Sequence, residues 1–257
     1  MISREYVERL SDATRVDYYV SGNDGGRVYW PWRMQKAGGQ AGCHTDQCET
    51  YILDSNFTDE SVTNADVLAE AHDVGADAAV LTDVLGDADA TVRALQNGLD
   101  LAREHDFSGV VVLPTQPPHD RVAKRLRDHT HGLNIWWGVG GVKDAPTGEK
   151  IDAARQLRAV VGDDAHIHGL GFGVTQALAA AVRDHPNLLD SIDNSTAMQN
   201  ASVTDLEGKK EKMTVAAARA TAERLRRLRM LTDFADEQTP TKQLTTAAFG
   251  SVEILSK

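Results

Sequence analysis

The run Ala78-Ala79-Val80-Leu81-Thr82-Asp83 is followed by a helical pattern over 90–105 and then by Val110-Val111-Val112-Leu113-Pro114-Thr115. That succession decides the fold. Both apolar runs are short, and each closes on residues that end a buried strand. Between them Val92, Leu95, Leu99 and Ala102 recur at three- and four-residue spacing, one face of an amphipathic helix. A strand, a helix and a second strand of this kind make a parallel unit with a right-handed crossover.

The same unit repeats outward. Tyr51-Ile52-Leu53-Asp54 precedes it, and Ile135-Trp136-Trp137-Gly138-Val139-Gly140, His166-Ile167-His168-Gly169-Leu170-Gly171 and Leu188-Leu189-Asp190 follow it. The starts lie about 22 to 32 residues apart, the length of a strand–loop–helix unit. Helical patterns fill the gaps over 64–74, with Thr63 or Asn64 as the cap, and over 121–128, 150–161 and 175–183. With Tyr18-Tyr19-Val20 the strands number seven. The expectation is an α/β chain folded as one compact TIM (β/α)8 barrel over 1–257, its eighth strand unplaced. An open doubly wound sheet is the alternative. Residues 22–50 read as an irregular Gly- and Cys-containing connection, 197–212 as a polar loop and 213–237 as a basic C-terminal helix.

Composition narrows the class. The chain has 257 residues, 38 acidic and 27 basic, for a net charge of −11. A generally basic nucleic-acid binder is excluded, although a local basic patch is not. No apolar run reaches the ~18 residues of a membrane span, and the N-terminus has no apolar leader stretch. A soluble cytoplasmic protein is expected, in its own cell or in an infected host cell. Asp far outnumbers Glu and Arg outnumbers Lys, a halophile-like surface or the signature of a GC-rich mesophile. Two cysteines, Cys43 and Cys48, make no disulfide framework.

Three of the apolar runs end in a carboxylate: Asp54, Asp83 and Asp190. A single Asp after a strand usually caps the next helix. Three at equivalent positions, where strand ends converge on the active site, suit a nucleophile with a general acid/base at a sugar carbon. Gly138-Val139-Gly140-Gly141 and Gly169-Leu170-Gly171-Phe172-Gly173 close two strands, where missing side chains admit a ligand to the backbone. Neither has the spacing of a dinucleotide or Walker loop.

These residues resemble a known family. Tyr51-Ile52-Leu53-Asp54-Ser55-Asn56-Phe57 is similar to the Leu-Asp-Ser-Gly-Gly-Phe motif of tRNA-guanine transglycosylases. The chain resembles more closely their DNA-modifying branch, the DpdA-type 7-deazaguanine transglycosylases. Tyr18-Tyr19-Val20-Ser21-Gly22, Trp137-Gly138-Val139-Gly140-Gly141-Val142, Ile167-His168-Gly169-Leu170-Gly171-Phe172-Gly173-Val174 and Leu189-Asp190-Ser191-Ile192-Asp193-Asn194-Ser195 match its motifs in order. The resemblance implies a barrel that exchanges guanine in DNA for a 7-deazaguanine such as 7-cyano-7-deazaguanine (preQ0), with no required cofactor. It implies Asp190 as nucleophile, Asp54 as general acid/base, Asp83 and Gln116 as base readers, Gly140 and Gly141 as backbone facing the base, and Ser55, beside Asp54, as a further substrate-binding residue. Asn56 replaces a motif glycine, and Asp193-Asn194 replaces Ala-Trp. The zinc motif of the tRNA enzymes, and the length for the extra RNA-binding domain of the archaeal ones, are missing. A tRNA substrate, or a non-catalytic barrel that binds nucleic acid, is the alternative.

Three weaker signals remain. Cys43, His44 and Cys48 could hold a structural zinc, but no fourth ligand is evident, and a loop with free thiols is the preferred reading. His166 and His168 alternate along one strand, so one of them is expected to face the interior, with His168 near the substrate. Lys209, Lys210, Lys212, Arg224, Arg226, Arg227 and Arg229 form either a DNA phosphate-contact strip or a solvated helix face.

Overall fold

The computed structural model describes residues 4–21, 29–38, 45–56, 59, 61–195 and 227. The polar loop and basic helix expected over 197–237, with their DNA-contact side chains, lie outside the described residues apart from Arg227.

Eight parallel strands close into a barrel in chain order: β1 Asp17–Ser21, β2 Trp32–Lys36, β3 Thr50–Asp54, β4 Ala78–Val80, β5 Val110–Thr115, β6 Asn134–Val139, β7 His166–Gly169 and β8 Ser191–Asn194. β8 pairs with β1 through Asp17 opposite Ser191 and Tyr19 opposite Asp193, which closes the ring. Helix α1 (Arg4–Ser11) precedes β1. Helices α2 (Asn64–Val74), α3 (Ala88–Glu104), α4 (His119–Leu126), α5 (Thr147–Val161) and α6 (Gln176–Asp184) fill the connections from β3 to β8. No described helix is long and apolar enough to cross a membrane.

Helix α2 begins where its capping box dictates. Thr63 Oγ1 accepts from the Asp66 N–H, and the Asp66 carboxylate accepts from the Thr63 N–H at 2.9 Å. The inner face of α3 is set by Val92, Leu95, Leu99 and Ala102, all fully buried. Removing an aliphatic side chain of this kind from water contributes roughly 1.5–3 kcal/mol. The strands carry apolar side chains on both faces, because one face meets the helices and the other fills the barrel. Tyr19, Met34, Ile52, Ala78, Val80 and Val112 form the inner cluster, with Trp136 and Leu170 packed against it.

Two expectations need correction. The eighth strand is β2, inside the segment read as an irregular connection. It starts 15 residues after the start of β1, a shorter spacing than the strand–helix units that follow, and its outward Arg33 and Gln35 disguise it although both are buried. Tyr51 Oη donates to Gln35 Oε1 at 2.9 Å, so this polar side chain is partnered within the outer layer. The last strand runs over Ser191–Asn194, rather than over 188–190.

Candidate active site

A cavity of 970 Å³ opens at the C-terminal ends of the strands, and Asp54, Asp83, Gln116, Gly140, Gly141 and Asp193 line it. That is where a parallel barrel gathers the loops after each strand.

Asp54 ends β3, with Lys36 opposite it on β2. Burial pushes its carboxyl up to about 7; Asp193 adds to the rise, while Lys36 and the Ser55 N–H oppose it. Ser55 is itself buried. A carboxyl in this range exchanges a proton readily near neutral pH, the property of a general acid/base.

Asp83 follows β4 and is held from both sides. Asn64 Oδ1 accepts from the Thr82 N–H at 2.7 Å, while Asn64 Nδ2 donates to Ala94 O at 2.8 Å. The Val84 N–H donates to Thr91 Oγ1 at 3.0 Å, and that hydroxyl donates back to Val84 O. Gln116 Nε2 donates to Asp83 Oδ2, and Gln116 Oε1 accepts from the Gly86 N–H at 3.2 Å. Burial raises the Asp83 carboxyl, and the Gln116 bond works against the rise. Gly140 and Gly141 press against this pair. A Cβ on Gly141 would lie 2.3 Å from Gln116 Oε1, and its φ of +69° is one that only glycine adopts freely. Asp83, Gln116 and the 140–141 backbone thus form one continuous polar wall.

Asp193 is the third cavity carboxylate, and Asp190 is not. Asp193 sits inside β8 with its side chain turned into the barrel, 6% exposed. Its Oδ1 accepts the Gly171 N–H at 2.7 Å, and the Gly171 carbonyl accepts from Lys150 Nζ at 3.0 Å. Gly171 has a φ of +69°, which turns its N–H toward the carboxylate. Asp190 precedes β8 at the opposite, N-terminal end. Its Oδ2 accepts from Arg158 at 2.9 Å and from the Ile167 N–H at 2.8 Å. The sequence places two aspartates three residues apart, and only the second lies beyond the strand's start, where a side chain can reach the cavity.

The histidines also depart from expectation. Residues two apart on a strand share a face, and both His166 and His168 point inward, meeting Ser191 Oγ at 2.7 and 2.8 Å. His168 is fully buried behind Asp193 and does not line the cavity. Trp136 turns inward to stack on His166, while Trp137 packs in the outer core.

Lys36, Lys143 and Lys150 bring positive charge to the cavity rim, which charge counting along the chain did not single out. Burial lowers the Lys150 ammonium, with Asp144 and Asp193 opposing. Of the zinc candidates, Cys43 and His44 lie outside the described residues. Cys48 is half-buried, and burial pushes its thiol up to about 11. No cluster of three His, Cys, Asp or Glu among the described residues could hold a metal ion.

No protein-family model matches the chain, and no curated protein matches it.

Proposed function

We propose that the protein exchanges guanine in DNA for a 7-deazaguanine base, with preQ0 as the incoming base, by double displacement at C1′. The observation that supports it is the meeting of Asp54 and Asp193 with the Asp83–Gln116 wall around one cavity. The arrangement supplies a nucleophile, a proton carrier and a hydrogen-bonding surface against which a base can be matched.

In this reading Asp193, rather than Asp190, attacks C1′. Its Oδ1 is held by Gly171, which leaves Oδ2 to form the ester with the sugar. The C1′–N9 bond breaks, its electron pair passes to the base, and Asp54 supplies the proton that lets guanine leave neutral. The 7-deazaguanine then takes the same wall, Asp54 accepts its N9 proton, and N9 displaces the Asp193 carboxylate. Two inversions retain the sugar configuration. Asp83 accepts from the N–H edge of the base and Gln116 meets its carbonyl. The target nucleotide must leave the stack to reach a cavity at this depth.

Isotope-labelled guanine or preQ0 is incubated with the protein and either duplex DNA or tRNA, and the nucleosides are resolved by mass spectrometry. Label in DNA supports the proposal. Label in tRNA alone moves the substrate to RNA with the same site, and label in neither overturns the reading.

A further inference from the structure

A line of buried polar groups runs along the barrel axis beneath Asp193. His166 Nε2 meets Ser191 Oγ at 2.7 Å, and Ser191 Oγ meets His168 Nδ1 at 2.8 Å. His168 Nε2 then lies 3.5 Å from Asp193 Oδ1 and has no hydrogen-bond partner. The line is walled by apolar groups. Tyr19 meets the His168 ring edge-on at 5.6 Å between centroids, and Trp136 stacks on His166 at 3.8 Å and 10°. No part of it belongs to the cavity lining except its last member, Asp193.

We infer that His168 is the positioning residue of Asp193, and that Ser191 and His166 fix the tautomer in which it acts. The inference rests on the reading of Asp193 as the nucleophile. The proton count gives the direction. Ser191 has one hydroxyl proton and two ring nitrogens to satisfy. A bare His168 Nε2 lone pair facing a carboxylate oxygen would be repulsive, so that nitrogen carries its proton. With the ring's single proton on Nε2, Nδ1 is an acceptor, and the Ser191 hydroxyl donates to it. Ser191 Oγ in turn accepts from His166 Nε2–H. Burial drives the His166 imidazolium down to about 4, consistent with a neutral ring that has a single N–H to give. Every donor therefore points toward Asp193. At 3.5 Å the last contact is long for a hydrogen bond, and it shortens as the Asp193 carboxylate turns its other oxygen toward C1′.

Held between the Gly171 N–H and His168 Nε2–H, Oδ1 stays in place and the carboxylate plane keeps its orientation. A His168 that acted only as filler would make no demand on the identity of its ring nitrogens.

Two measurements on the full-length protein test this. First, nitrogen-15 spectra of histidine-labelled protein at pH 8 read the tautomer directly, with His168→Gln and His166→Gln used for assignment. The Nε2–H tautomer at His168, with a resonance that moves in Asp193→Asn, is expected; an Nδ1–H tautomer overturns the inference. This readout does not depend on any activity. Second, base exchange is measured for His168→Leu, His168→Gln and Ser191→Ala, each checked for an unchanged circular-dichroism spectrum. His168→Leu should lower kcat by about 10²-fold at unchanged KM. His168→Gln should recover most of it, because its amide N–H takes the place of Nε2–H. Ser191→Ala should lose about tenfold. Equal rates in the Leu and Gln variants, whether high or low, overturn the positioning role. An inactive wild type would instead overturn the base-exchange reading, and the spectra would still decide the tautomer.

Discussion

Asp190 and Asp193 are three positions apart in sequence and stand at opposite ends of the barrel. Along a strand that is about 10 Å. Asp193 faces the cavity from within β8, and Asp190 ties the start of that strand to Arg158 on α5 and to the Ile167 N–H of β7. The backbone around Asp190 is knitted in as well, since its carbonyl accepts the Asp17 N–H at 2.9 Å. One carboxylate is available for chemistry, and the other is committed to joining α5, β7 and β1.

The two aspartates should therefore fail differently. Asp190→Ala leaves a largely buried guanidinium without its carboxylate, and a loss of about 2 kcal/mol is expected, discounted for the partial exposure of Asp190. Its base exchange, measured well below the melting temperature, should stay within a fewfold of wild type. Asp193→Ala should abolish exchange while melting within a few degrees of wild type, because only a carboxylate there can form the sugar ester. The measurements are a thermal melt and an exchange rate for each variant. The reverse pattern would return the nucleophile to Asp190.

Gly141→Ala should disturb the Asp83–Gln116 wall. Two effects add: a residue with φ near +69° is strained by about 1–2 kcal/mol, and the new methyl would sit on Gln116 Oε1. Gly132 offers the control. Its φ is +78°, and nothing lies within 4 Å of a Cβ built there. Gly132→Ala should carry the backbone strain alone. Both variants should melt lower, and only Gly141→Ala should raise KM for the incoming base, by roughly tenfold or more. A KM that rises equally in both would mean that Gln116 does not read the base.

Asp83→Ala should act on discrimination rather than on rate. Its carboxylate is clamped through Thr82 and Val84 by Asn64 and Thr91, the fixed position that the proposed base recognition needs. Without it, the preference for guanine-like bases over adenine should fall by about 10²-fold, while kcat with the preferred base changes less. Competition between labelled bases checks this; an unchanged preference would remove Asp83 from recognition.

Most of this architecture can be read from residue order, and the exceptions have physical causes. Six apolar strands declare themselves because both of their faces are buried. β2 does not, because Arg33 and Gln35 occupy its outer face and look like surface residues. Asp54, Asp83, Gly140 and Gly141 are found from position after a strand, and Gln116 from the family resemblance; the barrel brings all five to one cavity. Asp193 is missed because Leu188-Leu189 reads as a strand, whereas β8 starts only at Ser191. The signal was the polar alternation of Ser191 and Asp193 about Ile192, the pattern of an inward polar face over an outward apolar one. Asn64 and Lys150 act through hydrogen bonds to residues 18 to 30 positions away, a role that no local pattern marks.

The proton on Asp54 should show in the stability of the fold, without any substrate, as well as in exchange. An unfolded aspartate titrates near 3.9, and burial beside Asp193 pushes Asp54 up to about 7. Between those values the folded protein holds a proton that the unfolded chain has released. Stability must then fall as pH rises through that window and level off above it. Asp17, raised by burial and by Asp190 to about 6, contributes in the same sense. His166, lowered to about 4, contributes in the opposite sense, weakening the fold as pH drops below about 6.5. A comparison of wild type with Asp54→Asn cancels both of these background groups. At pH 8 the variant no longer buries a charge beside a second carboxylate, and it should be more stable by about 2–4 kcal/mol. At pH 4 wild-type Asp54 is protonated when folded and close to isosteric with Asn, so the two proteins should melt together. Denaturant midpoints for both proteins at pH 4, 6 and 8 measure the difference. In the exchange assay the same variant should be slower by roughly 10²- to 10⁴-fold, the loss expected for a general acid/base. A stability difference that does not grow with pH would mean that Asp54 is ionised throughout, and the proton it is assigned to carry would have to come from another group.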